Sequence, residues 1–397
     1  MLQYDVVIIG AGASGLMCAA TAGYRGRSVL VIEHTAKVGR KILMSGGGRC
    51  NFTNIHNTPA NFISQNPHFC KSALSRYKAQ DFIDLVDRHG VEYHEKTLGQ
   101  LFCNESSKEI LRVLMTECEW AGVEIKTDTA VQKIQQAEQQ KGQGGYQLET
   151  SIGKIAADSV VIATGGLSIP NGGATSFAYD IAEQYALTVL PRTAALVPFT
   201  LQPKDKDILK ELSGVSHLIK ASIGSVSFVE MMLFTHRGLS GPAILQISNY
   251  WQPGGDVELN LFPELDLLAW LKEQREARPK AEITTIMAQQ MSKRMSQILC
   301  AKFGLEGVMG GFSNKQLEAI SEAFCSWKIK PSGTEGYRTA EVTLGGIDTN
   351  EINQKTMEAK KAPNLFFIGE CLDVTGHLGG HNFQWAWASG FAAGQVV

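Results

Sequence analysis

The chain has 397 residues, of which 44% are hydrophobic and 19% charged, and a formal net charge of −2. This composition is typical of a globular protein with two or three domains, and it argues against a strongly basic coat for nucleic acid. The eight cysteines are scattered without a CxxC pair, which argues against a zinc site, an iron–sulfur cluster or a redox-active disulfide, so we expect no metal.

The sequence has no run of 18 apolar residues that could span a membrane. The first predicted strand also starts too close to Met1 to leave room for a signal peptide. We therefore expect a cytoplasmic protein that makes no use of a membrane. Its oligomeric state does not follow from the sequence.

The first predicted elements form a βαβ unit. An apolar strand is predicted over residues 4–9, a helix of small residues over 16–24 and a second strand over 28–32. The turn between the first strand and the helix has the spacing of a dinucleotide fingerprint, whose glycines allow a tight turn and the approach of a pyrophosphate to the helix N-terminus. An ordinary βα turn is the alternative. The fingerprint glycines are Gly10, Gly12 and Gly15.

An acidic residue follows the second strand. Glu33 lies where a carboxylate can accept hydrogen bonds from both ribose hydroxyls of a dinucleotide. No basic residue that could bind a 2′-phosphate stands at this strand end, which disfavours NADP in this slot. The sequence runs from here into a second glycine-rich and basic loop, over residues 39–54. One bound cofactor would explain both loops.

Residues 34–80 contain no Asp or Glu. Aromatic residues lie between basic ones there, as they do in some nucleic-acid surfaces. One interpretation assigns the positive charge to the cofactor pyrophosphate and to ordinary solvated surface, and the other to a polyanionic substrate. The basic residues are Lys37, Arg40, Lys41, Arg49, Lys71, Arg76 and Lys78, and the aromatic ones are Phe52, Phe62, Phe69 and Tyr77.

The middle of the chain alternates between helical and strand patterns. Apolar residues at spacings of three and four predict helices over 71–89 and 107–121. The apolar run over 159–166 ends in glycines and predicts a buried parallel strand whose carboxyl end faces a ligand, with a plain core strand as the alternative. Residues 191–262 have short alternating segments typical of a β-rich domain or barrel, and 263–327 have helical spacing.

The C-terminal segment returns to the first domain. A buried strand predicted over 364–370 ends in Gly369 and Glu370, and a glycine-rich stretch over 376–384 leads into a helix of small residues. The N-terminus of such a helix offers N–H groups and a positive dipole end, which would stabilise the anion that forms on a flavin ring when it is reduced.

Several of these segments together resemble the BaiN/RdsA family of FAD-dependent oxidoreductases over essentially the whole chain. The most specific are the loop at 39–54 and the Thr-His-Arg-Gly-Leu-Ser-Gly-Pro run at 235–242. The resemblance implies an α/β fold: a glutathione-reductase-like, Rossmann-like FAD-binding domain with an inserted β-barrel domain and a helical subdomain. It places the FAD domain at 1–190 and 343–397, the barrel at 191–262 and 330–342, and the helical insert at 263–329.

The segments 96–102 and 336–346 resemble most the family members that are ribosomal RNA dihydrouridine synthases. That resemblance implies a uridine in large-subunit (23S) rRNA as substrate. A reductase of a small enone, an amine oxidase and a non-catalytic flavoprotein assembly factor stay open as alternatives. Since the chain has one fingerprint, NAD(P)H would act as a transient donor that reduces FAD and leaves before the substrate is reduced.

The resemblance and the motifs together suggest a set of cofactor contacts, in which Val131 is placed only by analogy with the adenine-facing strand of the fold. The set is Gly10, Gly12, Ser14, Gly15, Glu33, Arg40, Lys41, Gly47, Val131, Thr164, Gly165, Gly369, Glu370 and Asn382.

Reduction of a uracil C=C bond also needs a proton donor. Cys50 is the first candidate, because the preceding glycines would place it near the flavin and Arg49 could lower the pKa of its thiol. His236 is the second candidate, and Arg237 could polarise a carbonyl or bind a phosphate. The alternatives are a packed thiol at 50, a structural or surface histidine at 236 and a plain ion pair at 237.

Overall fold

The computed structural model describes residues 2–137 and 145–397. The chain divides into two compact units, one formed by Met1–Ala194 together with Glu341–Val397 and the other by Ala195–Ala340. The first unit is therefore built from both ends of the chain. The predicted three-part division, with a separate helical insert, stays a prediction.

The strands, in chain order, are β1 (Leu2–Ile9), β2 (Val29–Ile32), β3 (Asn51–Asn54), β4 (Phe62–Ile63), β5 (Tyr93–Glu95), β6 (Gln100–Cys103), β7 (Glu124–Lys126), β8 (Val131–Gln136), β9 (Tyr146–Thr150), β10 (Gly153–Ile162), β11 (Thr193–Ala195), β12 (Phe199–Leu201), β13 (Ser216–Ile223), β14 (Val226–Phe234), β15 (Gly238–Ser240), β16 (Val257–Asn260), β17 (Trp327–Ile329), β18 (Pro331–Thr334), β19 (Val342–Leu344), β20 (Leu365–Phe367) and β21 (Thr375–Gly376).

The α-helices are α1 (Ala13–Tyr24), α2 (Arg40–Met44), α3 (Cys70–Arg76), α4 (Ala79–Arg88), α5 (Lys108–Trp120), α6 (Phe177–Gln184), α7 (Pro203–Leu209), α8 (Pro242–Ser248), α9 (Leu267–Ala277), α10 (Ile283–Met287), α11 (Lys293–Lys302), α12 (Asn314–Cys325) and α13 (His381–Gly394).

The first unit is organised around a mostly parallel sheet. Within the described residues its order is β7-β2-β1-β10-β9-β8, with β20 also paired to β10. Strands β7, β2, β1, β10 and β20 are parallel, and β9 and β8 continue the sheet in antiparallel pairing. The C-terminal residues of β1 are buried, as expected for a parallel strand covered on both faces. This confirms the Rossmann-like α/β fold.

Strand register brings the functional loops to one edge of this sheet. Ile9, the last residue of β1, lies opposite Ile32 of β2 and Ile162 of β10. The fingerprint turn after β1, Glu33 after β2 and the glycines after β10 therefore emerge side by side. In open α/β sheets this carboxyl edge is where ligands bind.

The predicted single helix over 71–89 is wrong in one respect, because it is divided into α3 and α4. Tyr77 has extended backbone angles, and the Lys78 backbone N–H donates to the Asp81 carboxylate at 2.6 Å. This local bond starts a new helix, since a carboxylate in the first turn satisfies an otherwise free N–H group. The loop predicted at 39–54 is also more regular than expected, as it contains α2 and β3.

The second unit has its own sheet and its own core. Its described strands have the order β17-β16-β13-β14-β15-β12-β18, all in antiparallel pairing. Buried residues of these strands form one hydrophobic cluster with helices α9–α12, including Met287 and Met295. Both methionines are thus core residues. The barrel closure stays a prediction.

None of the helices in residues 2–137 and 145–397 combines the length and the apolar character needed to cross a bilayer.

Candidate functional site

The fingerprint turn is shaped by close backbone approaches. The Gly10 N–H donates to the Ile32 carbonyl oxygen at 2.8 Å, and a Cβ at position 10 would lie 2.5 Å from the Ala163 carbonyl oxygen. A Cβ at Gly15 would overlap the Gly10 carbonyl oxygen. These two glycines let β1, α1 and the end of β10 meet without a gap.

Gly12 has a different environment. It is the N-cap residue of α1, and a Cβ added there would meet no atom within 4 Å. No side chain caps the helix, so α1 begins at an open space with free backbone N–H groups. An uncapped helix N-terminus in front of open space is suited to bind an anion such as a pyrophosphate.

Glu33 organises the neighbouring backbone. One carboxylate oxygen accepts from the Ala11 N–H at 3.1 Å, and the other accepts from the N–H and hydroxyl of Thr35 at 2.9 and 2.8 Å. The Glu33 carbonyl oxygen accepts from the Thr129 N–H, two residues before Val131 at the start of β8. The predicted ribose contact of Glu33 stays a prediction.

A polar cluster joins the second glycine-rich loop to the ends of β10 and β20. The Lys41 ammonium lies 2.7 Å from the Glu370 carboxylate and donates to the Ser168 hydroxyl at 2.6 Å. Ser168 and the backbone N–H of Thr343 donate to the other Glu370 oxygen at 2.9 and 3.0 Å. Gly165 borders both charged groups, since its added Cβ would lie about 4 Å from each.

Sequence reasoning named Lys41, Glu370 and Gly165 separately and missed Ser168 and Thr343. Ser168 lies outside the recognised motifs, and Thr343 lies in the segment 336–346, which indicated the family but no role for this side chain. Their roles become visible only where the chain folds back, because 329 positions separate Lys41 from Glu370. Arg40, next to Lys41, instead donates to the Asn171 carbonyl oxygen at 2.8 Å.

Thr164 lies at the carboxyl end of β10, between Ala163 and Gly165. Its buried hydroxyl oxygen has no hydrogen-bond partner among the described residues. Leaving a buried hydroxyl unpaired costs about 1–3 kcal/mol. A buried polar atom without a partner, beside Gly10 and the open space before α1, is the arrangement expected where a ligand supplies the missing bond.

The C-terminal helix α13 packs closely on α1. A Cβ at Gly390 would overlap the Ser14 carbonyl oxygen, and one at Gly394 would lie 2.6 Å from Thr21 Cβ. Residue numbers rise together along both helices, which therefore run in the same direction. With a rise of 1.5 Å per residue, α13 starts about 13 Å before its contact with Ser14. Its N-terminus therefore lies beyond that of α1 and points in the same direction.

The loop before α13 is held by Asn382. The Asn382 side chain accepts from the Gly376 N–H and donates to the Gly376 carbonyl oxygen, both at 2.8 Å. Gly380, the N-cap residue, has a φ of +93° and a backbone packed against Thr53. Gly369 meets the Ser14 hydroxyl, because an added Cβ would lie 2.6 Å from it. The predicted contacts of Asn382 and Gly369 with a cofactor stay predictions.

Two histidines flank this loop. His381 is buried and its Nδ1 lies 2.7 Å from the Asn57 side-chain oxygen. Burial, with a smaller contribution from neighbouring His377, lowers the pKa of His381 to about 3. Burial also lowers the pKa of His377. Both rings are therefore mainly neutral at neutral pH, which makes them weak proton donors.

Cys50 is packed inside the protein. Its side chain has no exposed surface, its φ is +46°, and its N–H donates to the Ser45 carbonyl oxygen at 3.2 Å. Burial raises the pKa of the Cys50 thiol to about 12. This placement favours the alternative of a packed thiol. Gly47, in contrast, lies in the exposed 3-10 turn before it, and its added Cβ would meet no atom within 4 Å.

The other two catalytic candidates lie in the second unit, between β14 and β15. His236 is exposed in a tight turn, in which the Thr235 hydroxyl accepts from the backbone N–H groups of Arg237 and Gly238. The Arg237 guanidinium lies 3.5 Å from the Glu335 carboxylate. The structure thus provides the ion pair that the sequence left open as the alternative for Arg237.

The acid-free stretch does not form an aromatic stacking surface. Its four aromatic residues are buried, and none is more than 8% exposed. Their burial follows from packing in the first core. The positive charge, however, does face solvent. The exposed basic residues of the stretch are Lys37, Arg49, Lys71, Arg76 and Lys78.

Known proteins similar to this chain match it almost from end to end. A ribosomal RNA dihydrouridine synthase of Escherichia coli is 51% identical over 402 residues, covering 100% of this chain and 98% of that protein. One of Haemophilus influenzae is 46% identical, covering 99% and 98%. A 3-dehydro-bile acid delta(4,6)-reductase of Clostridium scindens is 26% identical, covering 98% of each.

A family model described as the HI0933-like protein Rossmann domain matches residues 4–396. This match and the relatives above confirm the resemblance to the BaiN/RdsA family that the motifs indicated. The chain belongs to the HI0933-like Rossmann family.

Proposed function

We propose that this protein is an FAD-dependent oxidoreductase that reduces the C5=C6 bond of a uridine in large-subunit (23S) rRNA, with NAD(P)H as electron donor. The observation that carries the proposal is the near-complete alignment with two proteins named ribosomal RNA dihydrouridine synthase, at 51% and 46% identity. The action on rRNA also supports a cytoplasmic location.

The geometry of the first unit fits FAD. The open space at Gly12 lies before an uncapped helix, and the unpaired Thr164 hydroxyl lies beside the same turn. Gly47 leaves free space on the second loop. The residues proposed to hold the cofactor are Gly10, Gly12, Ser14, Gly15, Glu33, Arg40, Lys41, Gly47, Val131, Thr164, Gly165, Gly369, Glu370 and Asn382.

Bound FAD would supply a hydride carrier that accepts electrons from NAD(P)H and passes them to the electron-poor uracil carbon C6. The chain itself would fix the position of the cofactor. The N–H groups of α1 would bind the pyrophosphate, and the N-terminus of α13 would favour negative charge next to it. The Lys41–Glu370 pair would hold the second loop against the end of β20. Exposed lysines and arginines of residues 34–80 would bind rRNA phosphates.

Two half-reactions test the proposal. The purified protein, loaded with FAD, is reduced with NAD(P)H under anaerobic conditions, and the visible flavin absorbance is followed. Unmodified fragments of 23S rRNA should then restore the absorbance and acquire dihydrouridine, as read by mass mapping. Matched fragments that already contain 5,6-dihydrouridine are the control and should restore nothing.

Other outcomes favour the remaining candidates. Reoxidation by a small enone, or by O2 with an amine as reductant, and no response to RNA would contradict the rRNA substrate. If the protein binds FAD but NAD(P)H never bleaches the flavin absorbance, it would instead be a non-catalytic flavoprotein. The relative named as a bile acid reductase, at 26% identity, makes the enone the first alternative to test.

A further inference from the structure

The reduction of uracil needs one hydride and one proton, and the described residues offer few groups that could donate the proton. Cys50 is fully buried, and the neutral rings of His377 and His381 hold a proton too weakly at neutral pH. A general acid works best when its pKa lies near the operating pH and when the substrate can reach it. Carboxyl groups with a raised pKa are therefore the next class to consider.

Among the described residues, the pKa is raised for three carboxyl groups. Glu230 accepts a hydrogen bond from the Gln246 side chain, and Asp373 accepts one from the Gln65 N–H at 2.7 Å. Glu341 differs from both, because no described residue forms a hydrogen bond or ion pair with it and its side chain is exposed. Its carboxyl is therefore free to contact a substrate.

The position of Glu341 ties it to the cofactor loops. It directly precedes β19, two residues before Thr343, so their Cα atoms are at most about 7 Å apart. The Thr343 N–H donates to Glu370, and its hydroxyl accepts from the Leu167 N–H at 2.8 Å. A Cβ on Gly166 would lie 2.5 Å from that hydroxyl. Glu341 thus lies two residues from a threonine that is hydrogen-bonded to the turn after β10, where the flavin is proposed to bind.

We propose that the Glu341 carboxyl donates the proton that adds to C5 of the uracil ring. This inference rests on the proposed function. In the balanced step, a hydride from the reduced flavin forms the C6–H bond while the C5=C6 π bond breaks. The π electrons take the proton from Glu341 and form the C5–H bond. Water then returns a proton to the Glu341 carboxylate, and NAD(P)H has supplied both electrons.

The electrostatics of Glu341 suit this role. Although water reaches its side chain, desolvation by the surrounding protein raises the pKa to about 7. Glu370, which accepts from the Thr343 N–H, is paired with Lys41, and His377 on the loop after β21 is mainly uncharged. Desolvation is the cause of the shift, and no ion partner among the described residues holds the carboxylate ionised.

The test compares Glu341→Gln with Glu119→Gln, in which an exposed carboxylate at the end of α5 is replaced in the same way. Both FAD-loaded variants are reduced with NAD(P)H and reoxidised with unmodified 23S rRNA fragments. Glu341→Gln should keep its flavin content and its rate of reduction but should be reoxidised roughly 10²- to 10⁴-fold more slowly. Glu119→Gln should match the wild type in both steps, and Glu341→Asp should recover part of the lost rate.

The pH profile separates proton donation from a structural effect. The wild-type reoxidation rate should fall as the pH rises through about 7, because only the protonated carboxyl is a donor, and Glu341→Gln should lack this fall. Wild-type reoxidation rates in Glu341→Gln, or equal slowing of both half-reactions, would overturn the role of Glu341 and leave the proposed function intact. A wild-type protein that rRNA does not reoxidise overturns both.

Discussion

Gly12 and Gly15 allow the cofactor proposal to be separated from fold stability. Both belong to the fingerprint turn, but an added methyl group has space at Gly12 and overlaps the Gly10 carbonyl oxygen at Gly15. Replacing the N-cap glycine with alanine costs about 0.5–1 kcal/mol of helix stability. Alanine also lowers the conformational entropy of the unfolded chain, which offsets about 0.4–1 kcal/mol of this cost. Gly12→Ala should therefore change the stability of the FAD-free protein by less than about 0.5 kcal/mol.

FAD binding, in contrast, should become clearly weaker in Gly12→Ala. The methyl group of Gly12→Ala fills the space in front of α1, and such overpacking costs about 1–3 kcal/mol, or roughly 5- to 150-fold in Kd. At an FAD concentration 100 times the wild-type Kd, the wild type gains about 2.7 kcal/mol of stability. A variant that binds 100-fold more weakly gains only about 0.4 kcal/mol under the same conditions.

The assay combines FAD titration, followed by flavin fluorescence, with urea unfolding in the presence and absence of FAD. Gly15→Ala is the matched control and should destabilise the FAD-free protein by about 1–3 kcal/mol, because backbone must move. Unchanged FAD affinity in Gly12→Ala would refute the assignment of the open space to the pyrophosphate. A large loss of stability without FAD would refute the packing argument.

Three further predictions concern the surrounding groups. Lys41→Met leaves the partly buried Glu370 carboxylate without its cation and should lower the free energy of unfolding by about 1 kcal/mol. In a double-mutant cycle, the double variant Lys41→Met/Glu370→Gln should recover part of this loss. Additive effects of the two substitutions would contradict the pairing. Cys50→Ser should reoxidise its flavin at a rate within about twofold of the wild-type rate, because the thiol is buried. A decrease of roughly 10²-fold or more, the size expected for a lost general acid, would restore the thiol as proton donor. His381 has a lowered pKa, so below pH about 6.5 the folded state binds fewer protons than the unfolded state. The stability that its neutral ring contributes is therefore complete above pH about 6.5. It decreases by about 1.4 kcal/mol per pH unit as the pH falls toward its pKa of about 3. In urea titrations between pH 4 and 6.5, roughly, His381→Gln should therefore lose stability less steeply than the wild type, and parallel curves would contradict the lowered pKa.

Local signals in the sequence were enough to identify the fingerprint and the elements around it. Apolar runs and glycine spacing act over a few neighbouring residues, so β1, α1, β2 and the end of β10 could be recognised before any contact was known. The same local signals failed at Tyr77, where Asp81 starts a new helix, since helical spacing of apolar residues continues across the break.

Tertiary structure alone decided which predicted residues meet and which are accessible. The Lys41–Ser168–Glu370 cluster joins three distant segments. The Thr164 hydroxyl is recognised as buried and unpaired only from the described residues that surround it in the fold. Cys50, a candidate proton donor by sequence, and the aromatic residues of the basic stretch lie in the core. Sequence alone determined the family, the fold class and the fingerprint, because these depend on local pattern. Burial and charge pairing depend on long-range packing, which local spacing does not encode.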